Sequence, residues 1–120
     1  MINNNKKFLR KAFKEKRSKI NLSQYQYLCK CIFNNLIQIK IWDKHFFHIY
    51  LSNDLKKEVS TNHIVSLLMK KNKKVIVPKI CHDQLIHFEI DLNTEFMINE
   101  LGIREPIIDV EFDKGVKTDD

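Results

Sequence analysis

A strand–helix–strand pattern in the middle of the chain constrains its fold more than any other feature. Residues 46–51 are aromatic and β-rich, as is typical of a strand, and residues 75–77 form a β-branched run that we expect Pro78 to end. Between them, Thr61 can cap a helix whose apolar residues recur at helical spacing and whose last residues are basic. Two strands joined through a helix lie parallel in one sheet. The pattern therefore predicts an α/β fold with a largely parallel sheet.

The flanking segments predict further elements. Residues 6–20 have the apolar spacing of an amphipathic helix, with basic residues on its other face. We expect a second helix to open at Ser23, because a glutamine three residues later completes a capping box. Alternating side chains over residues 85–90 predict another strand. Residues 94–101 are expected to form a short helix or turn, and residues 107–112 an edge strand.

Length and composition limit the class of protein. The chain has 120 residues, 43% hydrophobic and 30% charged, which suits one globular domain over residues 1–120. It holds no apolar run long enough for a transmembrane helix, and its first residues lack the apolar core of a secretory signal. Three cysteines cannot all pair with one another, so we expect reduced thiols and a cytoplasmic protein.

The positive charge is concentrated at the start of the chain. Residues 1–20 hold eight basic residues and one acid, whereas the remaining residues hold 13 basic and 14 acidic ones. Three interpretations stay open: a solvated helix face, a phosphate clamp or a nucleic-acid surface. The clamp would use Lys6, Arg10 and Lys14, which are spaced four apart and share one helix face.

Other candidate groups are few. Cys29 and Cys31 are two residues apart on a predicted helix and face different sides, and His45 and His48 face opposite sides of a predicted strand, so we expect no metal site. Glu58 has two interpretations. It lies just before a predicted helix, where the dipole favours a carboxylate, and it also lies in a loop leaving a strand, where α/β proteins bind ligands.

Five short segments stand in a distinctive order. Lys-Lys-Phe-Leu-Arg at residues 6–10 is followed by Tyr-Leu-Ser at 50–52, Glu-Val-Ser-Thr at 58–61, Val-Ile-Val-Pro at 75–78 and Gly-Ile-Arg-Glu-Pro at 102–106. In this order they resemble motifs of the 5-formyltetrahydrofolate cyclo-ligase family, also called methenyltetrahydrofolate synthetases. The resemblance covers nearly the whole chain.

The resemblance implies a fold, a reaction and a set of binding residues. The family's fold is a three-layer α/β sandwich. Its members use MgATP to convert 5-formyltetrahydrofolate into 5,10-methenyltetrahydrofolate, so ATP, Mg²⁺ and a small folate are the implied partners, without a membrane or a nucleic acid. The folate pocket would be lined by Leu51 and Glu58. The nucleotide phosphates would be contacted by Lys6, Lys7, Phe8, Leu9 and Arg10.

One departure from the family pattern concerns glycine. The family continues past its Glu-Pro segment into a loop of the type Arg-x-Gly-x-Gly-x-Gly-Tyr-Tyr-Asp, whereas the two glycines of this chain are Gly102 and Gly115. The resemblance thus covers the family's N-terminal two-thirds, and we expect a domain incomplete at its C-terminal end with weak or no activity. The alternative function is a non-catalytic module whose basic first helix binds RNA or another anion.

Overall fold

The computed structural model describes residues 2–100, 102–108 and 115–116. Within them lie three helices and two small sheets, with one strand–helix–strand unit, which confirms the α/β fold class at that level. The helices are α1 (Ile2–Ser18), α2 (Leu22–Leu36) and α3 (Asn62–Lys70), with one 3₁₀ turn at Asp54–Lys56. The strands are β1 (Phe46–His48), β2 (Lys74–Cys81), β3 (Gln84–Ile90), β4 (Phe96–Ile98) and β5 (Arg104–Pro106).

The start of α2 differs from the prediction. Asn21, not Ser23, is the N-cap residue: its side chain accepts a hydrogen bond from Gln24 N at 2.8 Å, and Gln24 Oε1 accepts one from Asn21 N at 3.2 Å. The capping box therefore lies two residues earlier than predicted. Asparagine and serine both cap well, so the spacing alone could not separate the two registers.

The main sheet has the order β1-β2-β3 and is mixed. β1 and β2 are parallel, with Phe47 opposite Val75, as the strand–helix–strand pattern predicts. β2 and β3 are antiparallel, with Val77 opposite Phe88. The described residues thus contain one parallel pair in this sheet, so a mostly parallel sheet is not confirmed. A separate antiparallel hairpin, β4–β5, pairs Met97 with Glu105.

Pro78 does not end its strand, and this prediction was wrong. β2 runs on to Cys81, with Pro78 opposite His87 on β3. On its other side β2 pairs with β1 only as far as Ile76, which lies opposite His48. In the described residues Pro78 therefore faces no strand on that side, and its missing N–H removes no ladder hydrogen bond.

The end of the described chain also corrects the prediction. In place of the short helix or turn predicted for residues 94–101, the described part of that range, 94–100, contains strand β4 at Phe96–Ile98. The last described strand is β5, at Arg104–Pro106, and most of the strand predicted over residues 107–112 falls outside the described residues. Residues 107 and 108 have no regular structure, and residues 109–112 lie outside the described part of the chain.

The core lies between α3 and the sheet. Ile64 and Leu68 of α3 pack on Val75, Val77 and Ile90, and α2 adds partly buried side chains beside them. Leu51, which follows β1, completes this buried cluster. No described helix is long and apolar enough to span a membrane. The core thereby fixes the start of α3 and the loop that precedes it, where the polar side chains converge.

Candidate functional site

The loop between β1 and α3, residues 49–61, is closed by hydrogen bonds at its base. Ser52 N donates to Thr61 Oγ1 at 3.3 Å, and Thr61 N donates to Ser52 Oγ at 3.2 Å. Thr61 Oγ1 in turn donates to Tyr50 O at 2.8 Å. Thr61 occupies the N-cap position of α3, as predicted, but its side chain caps no helical N–H. Its hydroxyl instead ties the two ends of the loop together.

Asp54 is the centre of a polar network inside this loop. Its Oδ1 accepts hydrogen bonds from Ser52 Oγ at 2.8 Å and from the Tyr25 hydroxyl at 3.3 Å. Its Oδ2 accepts one from Asn62 Nδ2 at 3.1 Å. Both carboxylate oxygens are thus engaged, and the network joins α2 to the first turn of α3. It holds the loop in one conformation.

Glu58 closes the other half of the loop. Its Oε1 accepts a hydrogen bond from Asn53 N at 2.7 Å, and its backbone carbonyl accepts one from the Tyr25 hydroxyl at 2.8 Å. Lys57, just before it, has a φ of 56°, the left-handed conformation that turns the chain back toward Asn53. The Glu58 carboxylate therefore caps the loop rather than the first turn of α3.

Two tyrosines beside the loop stay neutral. Burial, followed by the nearby Asp54 carboxylate, raises the pKa of Tyr25 well above its usual value. Burial and the Glu58 charge raise the pKa of Tyr50. Both phenols thus remain hydrogen-bond donors at physiological pH, and Tyr50 donates to Val59 O at 3.0 Å. They add donors to the site without adding charge.

The β4–β5 hairpin covers the loop from the other side. Asn53 Nδ2 donates to Gly102 O at 3.1 Å, and Arg104 Nη2 donates to Asn62 Oδ1 at 3.0 Å. A cavity of about 390 Å³ lies between the loop and the hairpin, lined by Asn53, Leu55 and Arg104 among others. A second one of about 250 Å³ lies below it, lined by Leu51, Arg104 and others. The two elements together form the walls of a cleft.

The hairpin is anchored to β2 by a buried ion pair. Lys79 Nζ lies 3.2 Å from Glu105 Oε1, and the two side chains are only 11% and 9% exposed. Lys79 also donates to Pro106 O at 2.8 Å. Burial alone would raise the pKa of Glu105, but hydrogen bonds from Asn99 and Lys79 outweigh it and hold the pKa below its usual range. A cleft of about 520 Å³ opens beside this pair.

The structure places the two groups of predicted site residues differently. Leu51 and Glu58 belong to one loop, with Leu51 buried at 7% exposure. Lys6, Lys7, Phe8, Leu9 and Arg10 are all exposed on α1. The described hydrogen bonds that hold α1 to the loop are at its far end, where Lys57 Nζ donates to the carbonyls of Ser18 and Ile20. Among the described residues, no hydrogen bond or ion pair joins the two groups.

The candidate metal ligands do not converge in the described residues. The rings of His48 and His87 lie 4.7 Å apart, but no described group of three histidine, cysteine or acidic side chains could hold a metal ion. The three cysteines are free thiols. These residues therefore contribute no described site.

The order of the motifs along this fold can be compared with known families. A family model, described as the 5-formyltetrahydrofolate cyclo-ligase family, matches residues 2–120. The chain belongs to this family. A comparison with curated protein sequences finds no match. Leu51 and Glu58, which the family resemblance predicts to line a folate pocket, both belong to the loop beside this cleft.

Four residues that line this cleft or support its loop were not predicted from the sequence: Tyr25, Asp54, Asn62 and Arg104. Tyr25 reaches the loop from α2, and Arg104 meets Asn62 across 42 residues of sequence. No local spacing connects such positions. The one usable signal was Arg104's place inside the Gly-Ile-Arg-Glu-Pro segment, a motif already singled out for its family resemblance.

Proposed function

We propose that this chain takes part in the ATP-dependent cyclisation of 5-formyltetrahydrofolate to 5,10-methenyltetrahydrofolate. The observation that carries the proposal is the family match over residues 2–120. The cleft supports it, because a rigid, hydrogen-bonded loop with a few convergent polar groups is what a small-molecule site requires. We expect the family's three-layer sandwich as the fold that holds these sites. The free thiols support a cytoplasmic location.

The folate is assigned to the cleft between the loop and the hairpin. Leu51 supplies an apolar wall to the smaller cavity. Glu58 binds Asn53 N through Oε1, while no described residue donates to its Oε2. Glu58 lines neither of the two cavities, so the assignment of this oxygen to the N–H donors of a pterin ring rests on the family resemblance. Leu51 and Glu58 are accordingly the proposed folate-binding residues.

The nucleotide is assigned to the N-terminal half of α1. Lys6 and Arg10 lie one turn apart and are exposed, so both can reach the phosphates of one ATP molecule. Lys7, Phe8 and Leu9 complete the segment. The described residues offer Mg²⁺ no cluster of its own, so we assign the ion to the incoming MgATP complex as part of the substrate.

The reaction requires charge to be neutralised at the phosphate. The γ-phosphoryl group passes from ATP to the formyl oxygen, the second folate nitrogen then attacks the formyl carbon, and phosphate leaves with that oxygen. Phosphoryl transfer depends on positioned donors, and a glycine-rich loop commonly supplies them. The sequence holds two glycines and no such loop. We therefore assign substrate binding to the 120 residues and expect little or no turnover by them alone.

Two measurements on the 120-residue chain test this function together. Calorimetric titration with 5-formyltetrahydrofolate should give saturable binding. Incubation with MgATP and the same folate should give no 5,10-methenyltetrahydrofolate absorbance above background. Absence of saturable folate binding would overturn the assignment of the cleft. Rapid product formation would show that these residues already contain the groups that stabilise the transferring phosphate.

The alternative, an RNA-binding module, rests on one observation. The basic side chains at residues 6, 7, 10, 11, 14, 16 and 19 are exposed on or just after α1. Such a surface binds polyanions with steep salt dependence, whereas a nucleotide site prefers ATP to polymer. Retention on heparin that persists in the presence of millimolar ATP would favour the RNA-binding alternative over the cyclo-ligase.

A further inference from the structure

Arg104 is held in a fixed orientation at the junction of the two cavities. Its guanidinium carbon lies 5.5 Å from the centre of the Phe96 ring, and its Nη2 donates to Asn62 Oδ1 at 3.0 Å. Asn62 is itself oriented by Asp54, which accepts from the other end of its amide. Stacking on an aromatic face and one hydrogen bond from the fork define the plane of a guanidinium. Arg104 is thus pre-organised rather than free to sample solvent.

The charge of Arg104 is not compensated within the described residues. The two described ion pairs are Lys74–Glu89 and Lys79–Glu105, and neither involves Arg104. Its Nε is buried without a hydrogen-bond partner, and no described residue accepts from its Nη1. A partly buried cation with unused N–H groups is unfavourable unless an anion joins it. The surroundings of the Arg104 guanidinium are therefore those of a binding site for a negatively charged ligand.

The acids that line the two cavities do not supply that anion. Asp54 already accepts from Ser52, Tyr25 and Asn62. Asp91 Oδ1 accepts from Asn93 N at 2.8 Å and from the Thr94 hydroxyl at 3.3 Å. Both Asp54 oxygens and Asp91 Oδ1 thus already accept hydrogen bonds from other residues. The guanidinium remains the group available to an anion that enters the cleft.

We propose that Arg104 binds a carboxylate of the folate's glutamate end. This rests on the proposed function, because it concerns the same cleft and the same substrate. Arg104 lines the cavity that holds Leu51, so a folate bound against Leu51 lies within reach of the guanidinium. At neutral pH the ionised groups of 5-formyltetrahydrofolate are its glutamate carboxylates, and a planar carboxylate matches a guanidinium fork. Arg104 then selects folates over the corresponding pteroates.

The test compares two ligands and two variants. The probes are 5-formyltetrahydrofolate and 5-formyltetrahydropteroate, which lacks the glutamate, titrated into the 120-residue chain by calorimetry. The unsubstituted protein should bind the folate about tenfold or more tightly than the pteroate, the size expected for hydrogen bonds to a charged group. Arg104→Gln should lose that preference by weakening the folate alone. Arg104→Lys should keep part of the preference for folate, because the lysine ammonium retains the charge but lacks the planar guanidinium.

The controls separate this proposal from its alternatives. Lys70→Gln removes an exposed cation from the end of α3 and should leave both affinities unchanged. If Arg104→Gln does not fold, the ratio of folate affinity to pteroate affinity, measured for the unsubstituted protein and for Arg104→Lys, still tests the proposal. Equal binding of folate and pteroate by the unsubstituted protein would overturn the role of Arg104 and leave the proposed function intact. Failure to bind either ligand would overturn both.

Discussion

At the scale of single residues, Glu58 combines two tasks in one carboxylate. One oxygen holds Asn53 N at 2.7 Å and so fixes the loop, while the other has no described donor. A hydrogen bond between a charged acceptor and a backbone N–H contributes about 1.5–3 kcal/mol when it is shielded from water. The same side chain can therefore affect stability and ligand binding separately, and substitutions can distinguish the two.

Glu58→Gln should lower folate affinity about tenfold while lowering the free energy of unfolding by less than ~1 kcal/mol, because the amide oxygen still accepts from Asn53 N. Glu58→Ala should lose about 1.5–3 kcal/mol of stability as well. Urea unfolding and calorimetric titration measure the two effects. Glu89→Gln, on an exposed strand position, is the matched control. If Glu58→Gln lowers stability but leaves the folate affinity unchanged, Glu58 stabilises the loop and does not bind folate.

At the scale of elements, the β4–β5 hairpin depends on β2 for its position. Lys79 of β2 binds both Glu105 and the carbonyl of Pro106, and this pair is nearly excluded from solvent. Removing one partner of a buried pair leaves an uncompensated charge and typically costs about 3–5 kcal/mol. The ion pair Lys74–Glu89 differs from this one because its side chains are 54% and 45% exposed. It should contribute little to the free energy of unfolding.

Glu105→Ala should therefore lower the free energy of unfolding at pH 7 by about 3–5 kcal/mol, against at most about 1 kcal/mol for Glu89→Ala. The pKa of Glu105 is lower in the folded protein than its ordinary value, so the ionised form favours folding. Its contribution is present above the pKa of the unfolded state and is lost as the pH falls through the lower pKa of the folded state.

Denaturant unfolding at pH 7 and at successively lower pH measures this difference. The stability gap between the unsubstituted protein and Glu105→Ala should narrow as the acid pH range is entered. A gap that stays constant down to the lowest pH at which both variants fold would show that the ion pair does not anchor the hairpin.

The elements that the sequence predicted well are those decided by local pattern. The parallel β1–β2 pair, α3 and β3 all follow from apolar spacing in their own segments. The β2–β3 turn does not, because His82 and Asp83 take φ values of 49° and 63°, as a two-residue hairpin turn requires, without the usual glycine. Leu51 was predicted from the family resemblance, and Glu58 from that resemblance and from its loop position. The position of Arg104 depends on the contact between the hairpin and Asn62, which local sequence does not encode.

At the scale of the whole molecule, the two proposed substrate sites differ in structure: one is a hydrogen-bonded cleft and the other an exposed helix surface. The proposed folate cleft is built by hydrogen bonds that link α2, the loop, α3 and the hairpin. The proposed nucleotide segment lies on the exposed start of α1, where Phe8 is 70% exposed and Phe13 further along is 53% exposed. Folate binding should therefore be a property of the cleft itself, independent of α1.

The most direct test of this account is an amide NMR titration of the ¹⁵N-labelled chain with 5-formyltetrahydrofolate. The account predicts saturable shifts at the amides of Asn53, Asn62 and Arg104, which line the cleft, with the amides of residues 6–10 unchanged. Saturable shifts confined to α1, or no shifts at millimolar folate, would contradict the assignment of the cleft between the loop and the hairpin as the folate site.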